Sequence, residues 1–344
     1  MFQLGGTSTV QAADGLRLIE WGRKLDDISR ARMVYVKRDL SDECCRGFRR
    51  LTPWRDHLNI VRNGRVVWFG PVMNVEESRS EIVIDAADPL VWMTRRVITA
   101  DESFVQADLT DIARTLINDV TATADPWSAT GVVFSYQPSG VLNDLLVESS
   151  RFPRYLWNVL TEKLASGLDM TVISKTIHVG AAPPAPTLRF RAQDFQEDLS
   201  IRKDGGVYAA SVFVNANDDV RAQYPPITPG GNPFLVEQIV SDAQIQTTQA
   251  ATDIAKARWA YAGQQGVPVI VQASDNLTIN PNTNVKVNQL IPGANVYLDA
   301  TEYCFGRVQA FRLGSVAVAV EGNTEKIQIA LQPSGPQALS DVSE

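Results

Sequence analysis

The dipeptide Asn63-Gly64 constrains the fold of this chain more than any other feature of its sequence. A two-residue type I′ turn needs a positive φ at both central positions, and asparagine and glycine adopt that conformation at little cost. Because β-branched and aromatic residues flank the dipeptide, it predicts a β-hairpin. The predicted cross-strand pairs are Val61 with Val66, Ile60 with Val67, and Asn59 with Trp68.

The hairpin begins a stretch with the pattern of an antiparallel sheet, from His57 to Ile98. Gly70-Pro71 is expected to break its second strand, since proline lacks the N–H that a sheet needs. Two further strands are predicted at residues 72–75 and 81–86, joined by the polar sequence EESRS. In the second of these, Ile82 and Ile84 share one face. The stretch therefore predicts a four-stranded meander.

A short helix is predicted to close this meander. Asp88 can accept a hydrogen bond as an N-cap, and Pro89 occupies the first helical position, where its missing N–H costs nothing. The spacing of Leu90, Met93 and Val97 then places all three side chains on one face of the helix.

The order of these signals resembles the beginning of the minor tail proteins of actinobacterial long-tailed phages. The shared pattern is a strand, the turn NG, a strand ending in W-x-G-P-V, a polar turn, an apolar strand, and then D-x-x-x-W-x-x-x-R at Asp88, Trp92 and Arg96. Those proteins are similar to the baseplate hub and tail-associated proteins of other tailed phages. The resemblance extends over most of the chain.

The length and charge of the chain limit its partners. With 344 residues, 44% of them hydrophobic and 21% charged, it is long enough for two or three domains. Its net charge of -7 argues against tight binding to a nucleic acid, which depends on many lysine and arginine contacts to phosphate. Arg46, Arg49, Arg50 and Arg55 are interleaved with acidic residues, which favours a solvated or protein-contact surface. The predicted partners are proteins.

Two further features of the sequence concern the cellular compartment in which the protein folds. No apolar run is long enough to span a membrane, and the start MFQLGGTSTV lacks the basic and apolar regions of a signal peptide, so neither membrane insertion nor export is expected. Cys44, Cys45 and Cys304 cannot form a disulfide framework, which indicates folding in a reducing cytoplasm.

Residues 99–186 are predicted to form a mixed α/β middle domain. Helical spacing behind the candidate N-cap Asp108 predicts an amphipathic helix. Its buried face would consist of Leu109, Ile112, Ala113, Leu116, Ile117 and Val120. A second helix is predicted at 154–166 and a strand at 170–179. The sequence AAPPAP at 181–186 can form neither a helix nor a central strand and indicates a domain boundary.

The residues on either side of this middle domain have the pattern of β domains. Two strands, 16–21 and 31–36, precede the meander, and a helix is predicted at 248–264. Six closing strands indicate a barrel or sandwich and are predicted at 267–273, 285–290, 296–300, 307–313, 316–320 and 326–331. We therefore predict an α+β, β-dominated fold in which two small β-barrel hub domains, 1–98 and 187–344, flank the middle domain. The residues after Pro333 are expected to be a flexible tail.

No residue of the sequence is assigned to catalysis, to cofactor binding or to metal binding. The sequence contains no phosphate-binding loop GxxxxGK[ST], no GxSxG and no HExxH. His57 and His178 are too few for a zinc site made of several imidazoles, so they are interpreted as structural residues. Calcium binding in the oxygen-rich sequence from Asp275 to Asn284 stays open.

Three functions from different classes compete: a structural hub at the tip of a phage tail, a tail-borne cell-wall hydrolase, and a carbohydrate-binding adhesin. A glycosidase needs two carboxylates that flank one bond, whereas neighbours in a strand point to opposite faces. The acidic doublets to which this applies are Asp26-Asp27, Glu76-Glu77 and Asp218-Asp219. An adhesin would use exposed tryptophans, but core-facing spacings are found for Trp68, Trp92, Trp157 and Trp259. The sequence favours the hub, without enzymatic activity.

The resemblance implies what such a hub does. It would form a homotrimeric ring at the distal end of the tail tube and contact the distal tail protein, the tape measure protein and other tail tip proteins. It would let the genome pass without specific DNA binding. The protein would be a virion component at the tail tip, assembled in the host bacterial cytoplasm. The Pro-rich segment from Tyr224 to Pro233 and the charged connection from Lys37 to Asp56 are expected near subunit contacts, since neither packs a core of its own.

Overall fold

A computed structural model of the protein describes residues 2–4, 8–10, 15–122, 131–163, 167–203, 209–215, 220–226, 235–241, 247–262, 269–272, 276–304 and 308–333. The fold is β-dominated, as predicted, and the chain divides into two compact units. The first consists of Met1–Thr187, Asp275–Asn295 and Arg312–Leu331, and the second is built mainly from Leu188–Ser274 and Val296–Phe311. Segments that are distant in sequence therefore complete the first unit.

A large antiparallel sheet forms the β part of the first unit. Its strands are β1 (Phe2–Leu4), β2 (Ser8–Val10), β3 (Leu16–Lys24), β4 (Arg30–Val36), β5 (His57–Arg62), β6 (Arg65–Glu77), β7 (Glu81–Ala87), β21 (Leu277–Thr278), β23 (Val308–Glu321) and β24 (Thr324–Pro333). Helix α1 (Asp42–Phe48) lies between β4 and β5. The main strand order is β24, β23, β3, β4, β7, β6, β5, β1, β2. Ser315 of β23 pairs with Lys24 and Glu321 with Leu18, so late strands extend the N-terminal sheet.

The predicted hairpin is present, but its register changes next to the turn. Asn63 and Gly64 have φ angles of 50° and 75°, and Val61 faces Val66 as predicted. A bulge then makes Ile60 face Trp68 and Asn59 face Phe69, so the other two predicted pairs are wrong. Residues 67–72 are buried without alternation. The alternation that fixes the register of a half-exposed strand is therefore missing here.

The predicted break at Gly70-Pro71 is wrong, because β6 runs through both residues. On β6, Pro71 pairs with His57 of β5, whereas the next residue, Val72, pairs with β7. Proline is tolerated where the strand changes its partner. A Cβ on Gly70 would lie 1.8 Å from the carbonyl oxygen of Ala87, so this crossing needs glycine. The meander therefore consists of three strands, β5, β6 and β7, instead of four. Ile82 and Ile84 are buried on one face as predicted.

The helix after the sheet is a 3₁₀ helix, Pro89–Arg95. The Asp88 carboxylate accepts a hydrogen bond from the Leu90 N–H at 3.0 Å, which confirms the predicted cap. Leu90 and Met93 are buried. Val97 lies outside this helix in strand β8 (Val97–Ile98), so its assignment to the helical face is wrong. A 3₁₀ helix repeats every three residues and aligns positions 90 and 93, but it ends before 97.

The middle of the chain combines two helices with short strands. The elements are β9 (Glu102–Asp108), α2 (Leu109–Ala122), β10 (Val133–Gln137), β11 (Leu142–Val147), β12 (Arg154–Tyr155), α3 (Leu156–Lys163), β13 (Asp169–Ile173) and β14 (Thr176–Gly180). All six residues predicted for the inner face of α2 are buried, which confirms the amphipathic helix. The Asp108 carboxylate accepts a hydrogen bond from the Thr110 N–H at 2.8 Å, as the N-cap prediction requires.

The strand predicted at 170–179 is in fact the hairpin β13–β14. Ser174 has a φ of 58°, and Ile173 pairs with Thr176 across the turn. Serine has no strong preference for positive φ, so the sequence gives no turn signal there. Strand β14 also pairs in parallel with β10, a contact between segments that are not adjacent in sequence.

The described part of the second unit contains the α-helix α4 (Thr248–Ala262), a 3₁₀ helix at Ala192–Asp194 and short strands. The strands are β15 (Leu188–Arg191), β16 (Ser200–Lys203), β17 (Ser211–Asn215), β18 (Arg221–Tyr224), β19 (Glu237–Ser241), β20 (Val269–Gln272) and β22 (Asn295–Asp299). Ala251 and Ala255 of α4 are buried in one core with Val212 and Val214 of β17. The helix predicted at 248–264 is therefore confirmed over its described residues, 248–262.

The closing strands differ from the prediction at two places. Residues 285–290 contain a 3₁₀ helix, Val287–Gln289, instead of a strand. The two strands predicted at 307–313 and 316–320 are a single strand, β23, from residue 308 onward, because Gly314 and Ser315 do not interrupt the backbone pairing. Residue 307 lies outside the described residues. The tail after Pro333 lies outside the described residues. The division into three consecutive domains, 1–98, 99–186 and 187–344, and the layout of two barrels stay predictions.

Candidate assembly surfaces

The charged connection from Lys37 to Asp56 contains α1. The Ser41 hydroxyl accepts a hydrogen bond from the Cys44 N–H at 3.3 Å and caps this helix. Cys44 and Phe48 are buried, and the Phe48 ring centroid lies 4.8 Å from that of Tyr35. The connection is therefore fixed to the sheet by one helical face.

Three exposed arginines lie at the C-terminal end of this helix. Arg46 lies in its last turn, Arg49 is its C-cap residue and Arg50 follows directly, so all three are near the helix C-terminus, where the backbone dipole favours cations. Arg55 is also exposed. We call these four residues the arginine surface. Guanidinium groups bind carboxylates and phosphates in a bidentate manner, so this surface can contact an acidic partner.

An apolar surface lies on the two-stranded ribbon formed by β9 and β11. Leu145 and Val147 are buried on its inner side, with Phe104 packed against the same core. On the outer side, Val105 is 77% exposed and Leu146 is 65% exposed. In the part of the chain that the structure describes, neither strand pairs with a third one. Unpaired strands with exposed apolar side chains are typical of interaction surfaces.

The second unit has a comparable open strand. In its three-stranded sheet, β19 lies at the edge beside β17, and Ile239 is 72% exposed. The Pro-rich segment that precedes β19 lies outside the described residues from 227 to 234. Its first residues are held in place, because the Ser211 hydroxyl donates a hydrogen bond to the Pro225 carbonyl at 2.9 Å.

A partly buried polar contact joins the end of β3 to the middle of the chain, and the sequence did not predict it. The Asp26 carboxylate accepts a hydrogen bond from the Met170 N–H at 2.7 Å, and the Thr171 hydroxyl donates to the Lys24 carbonyl at 2.9 Å. Arg312 forms an ion pair with Asp169 beside them. Burial raises the pKa of Asp26 to about 6. The only sequence signal is an Asp-Asp pair after a strand, since aspartate tolerates the positive φ of 58° found at Asp26.

The side chains of Asp88 and Arg23 are buried in the first unit. Asp88 accepts hydrogen bonds from the Ser29 and Leu90 N–H groups, and burial raises its pKa to about 6. Arg23 donates to the carbonyls of Val67 at 2.9 Å and Leu290 at 3.3 Å, and burial lowers its pKa to about 10. Arg23 thereby connects the hairpin to a segment more than two hundred residues later in the chain.

The other candidate residues named from the sequence lie in strands, ion pairs or hydrophobic cores where the structure describes them. His57 and His178 are half-buried in strands, and burial lowers the pKa of each. Asp27 and Glu77 form ion pairs with Lys24 and Lys37, whereas Asp218-Asp219 lies outside the described residues. The cysteines carry no disulfide, and Cys44 is buried. Core contacts are confirmed for Trp68, Trp92, Trp157 and Trp259.

Three tail proteins of known structure share this architecture. The 43 kDa tail protein of prophage MuSo2 from Shewanella oneidensis has a TM-score of 0.60 at 13% identity, over 92% of this chain and 94% of that one. The tail protein from Neisseria meningitidis MC58 has a TM-score of 0.58 at 16% identity, over 93% and 97%. A prophage tail protein from Listeria monocytogenes EGD-e has a TM-score of 0.58 at 10% identity, over 96% and 93%. This chain has the fold of those tail proteins.

The tail-protein fold implied by the sequence resemblance is therefore confirmed. No protein-family model matches the sequence, and no curated protein matches it. Among the described residues, no group of three or more histidine, cysteine or acidic side chains is arranged to hold a metal ion. None of the helices in the described ranges is long and apolar enough to cross a membrane.

Proposed function

We propose that this chain is a structural hub protein of a phage tail. The observation that carries the proposal is the fold shared with the prophage MuSo2 tail protein over 92% of this chain and 94% of that one. The hub joins the distal end of the tail tube to the distal tail protein, the tape measure protein and the tip or receptor-binding proteins, and lets the genome pass. It belongs to the virion and assembles in the bacterial cytoplasm. The actinobacterial long-tailed phages are its proposed origin.

The hub is a closed homotrimer in this proposal. Three chains with two similar domains each present six units to a sixfold tube, and heterologous contacts between unlike domains close into a ring when the rotation allows it. Residues 1–98 and 187–344 supply these domains, with 99–186 between them. The arginine surface and the Pro-rich segment from Tyr224 to Pro233 lie near the contacts.

Cryo-electron microscopy of the assembled tail tests both parts of the proposal. We expect three copies of this chain in a ring at the tail tip. A position along the tube or on a side fibre would contradict the hub role, whereas a ring of two, four or six copies would contradict the trimer alone. The isolated chain is a poor substitute, since ring closure depends on concentration and on the neighbouring tail proteins.

The proposed hub has no enzymatic activity. Neither alternative, a cell-wall hydrolase or a carbohydrate-binding adhesin, is favoured by an observation in the described part of the chain. Three of the four tryptophans named above, Trp92, Trp157 and Trp259, are partly buried against apolar cores, which leaves less of their surface for stacking on sugars.

A further inference from the structure

A small aromatic cavity lies in the first unit beside the start of β5. Its volume is about 50 Å³, and its walls include Trp54, His57, Phe69, Trp92, Val132 and Phe134. We call it the Trp54 pocket. Trp54 is 40% exposed, so it forms the outer wall. The Trp54 N–H donates a hydrogen bond to the Val72 carbonyl at 2.8 Å, which fixes the backbone of this exposed aromatic residue.

One residue that lines the pocket, His57, has a polar atom without a partner. The Nδ1 atom of His57 is buried and makes no hydrogen bond. Burial lowers the pKa of His57, so the imidazole is neutral at pH 7 and Nδ1 can donate or accept one hydrogen bond according to its tautomer. A buried polar atom without a partner costs free energy. A ligand that supplies an amide group next to Nδ1 would remove that cost.

Two cations lie over aromatic rings of the pocket. The Lys175 ammonium is 4.8 Å from the centroid of the Phe69 ring, and the Arg95 guanidinium is 5.9 Å from the Trp54 ring. The nearby carboxylate of Asp56 is buried and accepts a hydrogen bond from the Thr52 N–H at 2.7 Å. Both cations lie within 6 Å of the centroid of a ring that lines the pocket, so their positive charge attracts an anionic group on a ligand bound there.

The volume limits the apolar part of the ligand. By the same measure a single water molecule needs about 10–15 Å³, so the cavity takes a group the size of a few waters. A valine or proline side chain has this size, whereas a sugar ring is larger. We propose that the Trp54 pocket binds a peptide segment of a partner protein in which a small apolar side chain lies next to a carboxylate. This proposal does not depend on the role in the tail.

In the proposed complex, each part of the segment has its own contact. The apolar side chain lies between the aromatic walls, the adjacent backbone amide bonds to His57 Nδ1, and the carboxylate lies near Lys175 and Arg95. Protein grooves that bind extended peptide segments likewise combine backbone hydrogen bonds with pockets for individual side chains.

The test uses N-acetyl-L-valine as the probe, because it carries an isopropyl group, an amide and a carboxylate. N-acetyl-L-valinamide is the matched neutral probe. In saturation-transfer difference NMR of the full chain at pH 7, we expect transfer to the methyl groups of the acid, with a dissociation constant on the order of 1–10 mM. The neutral amide should bind at least about fivefold more weakly, since it lacks the charge.

Three variants locate the site. Val132→Phe fills the cavity and should abolish transfer to both probes, whereas Lys175→Gln should remove most of the preference for the acid. Phe152→Ala, which changes an exposed aromatic residue outside the pocket wall, is the control and should bind as the wild type does. Circular dichroism checks the folding of each variant, and Lys175→Gln decides the question if Val132→Phe does not fold.

Four results would overturn the proposal. They are no transfer to either probe, equal binding of acid and amide to the wild type, binding that Val132→Phe leaves intact, and no change in the acid preference of a folded Lys175→Gln. N-acetylglucosamine is included as a third probe. If it binds and Val132→Phe abolishes that binding, the pocket recognises sugars and the peptide proposal is wrong.

Discussion

Two charged residues inside the first unit are held by specific partners. Arg23 donates to backbone carbonyls, and Asp88 accepts from the Ser29 and Leu90 N–H groups. Removing one partner from such a contact is costly, because the remaining polar group stays buried. Carboxylates with a raised pKa also make stability depend on pH.

Protonation of Asp88 is expected to stabilise the fold. Burial raises its pKa from the ordinary 3.8 to about 6, so between these pH values the folded protein binds more protons than the unfolded chain. The contribution of Asp88 is therefore greatest below about pH 4 and falls as the pH rises through 6. Asp88→Asn removes this titration. The free energy of unfolding of the wild type minus that of Asp88→Asn should fall by roughly 2–3 kcal/mol between pH 4 and pH 7.

Urea unfolding of both proteins at several pH values measures this difference. The control is Asp111→Asn, since the Asp111 side chain is exposed and pairs with the nearby Arg114. A fall of the same size in the control would show that the burial of Asp88 is not its cause. If the Asp88→Asn and wild-type curves run parallel, Asp88 does not titrate in this range.

At the scale of the element, β6 is the strand that links both parts of the sheet. It pairs with β5 up to Pro71 and with β7 from Val72 onward. The change of partner occurs where the backbone of β6 passes close to Ala87. The shape of the sheet at this point therefore depends on a single residue without a side chain.

Gly70→Ala is expected to destabilise the protein far more than Gly64→Ala. The new Cβ at position 70 would lie 1.8 Å from the Ala87 carbonyl oxygen, and neither backbone is free to move. We expect a loss above about 3 kcal/mol, or no folding. At Gly64 no heavy atom lies within 4 Å of the new Cβ, so the cost comes from the positive φ alone and should be about 1 kcal/mol. Thermal and urea unfolding measure both, and equal losses would show that β6 bends elsewhere.

At the scale of the whole molecule, the net charge decides the response to DNA. The average surface repels phosphate at a charge of -7, although the arginine surface is locally cationic. We expect no retention of duplex DNA in a gel-shift assay at physiological salt, where non-specific binders have dissociation constants of roughly 10⁻⁴–10⁻⁶ M. A salt-sensitive shift at low micromolar protein would contradict this.

The triple variant Arg46→Glu, Arg49→Glu, Arg50→Glu then identifies the source of any binding. All three side chains are exposed, so the variant should fold. Loss of a gel shift in this variant would assign DNA contact to the arginine surface. Retention would assign the contact to another part of the molecule.

The sequence by itself determined the features that depend on neighbouring residues. The turn at Asn63-Gly64 follows from the φ preferences of two residues, the buried face of α2 from a helical repeat, and the cap at Asp88 from a side chain that reaches the next N–H groups. The tail-protein resemblance was also readable, because it rests on the order of such local signals. Each of these signals acts over a few residues, so the rest of the fold is not needed to interpret it.

Only the tertiary structure decided which distant segments meet. The pairing of β23 with β3, the contact of Arg23 with Leu290, and the walls of the Trp54 pocket all join residues far apart in the chain. The register of β6 also escaped prediction, since a strand buried on both faces has no alternation to fix it. Such contacts depend on the packing of the whole unit, because many partners would satisfy the same side chain equally well until the surrounding strands exclude all but one.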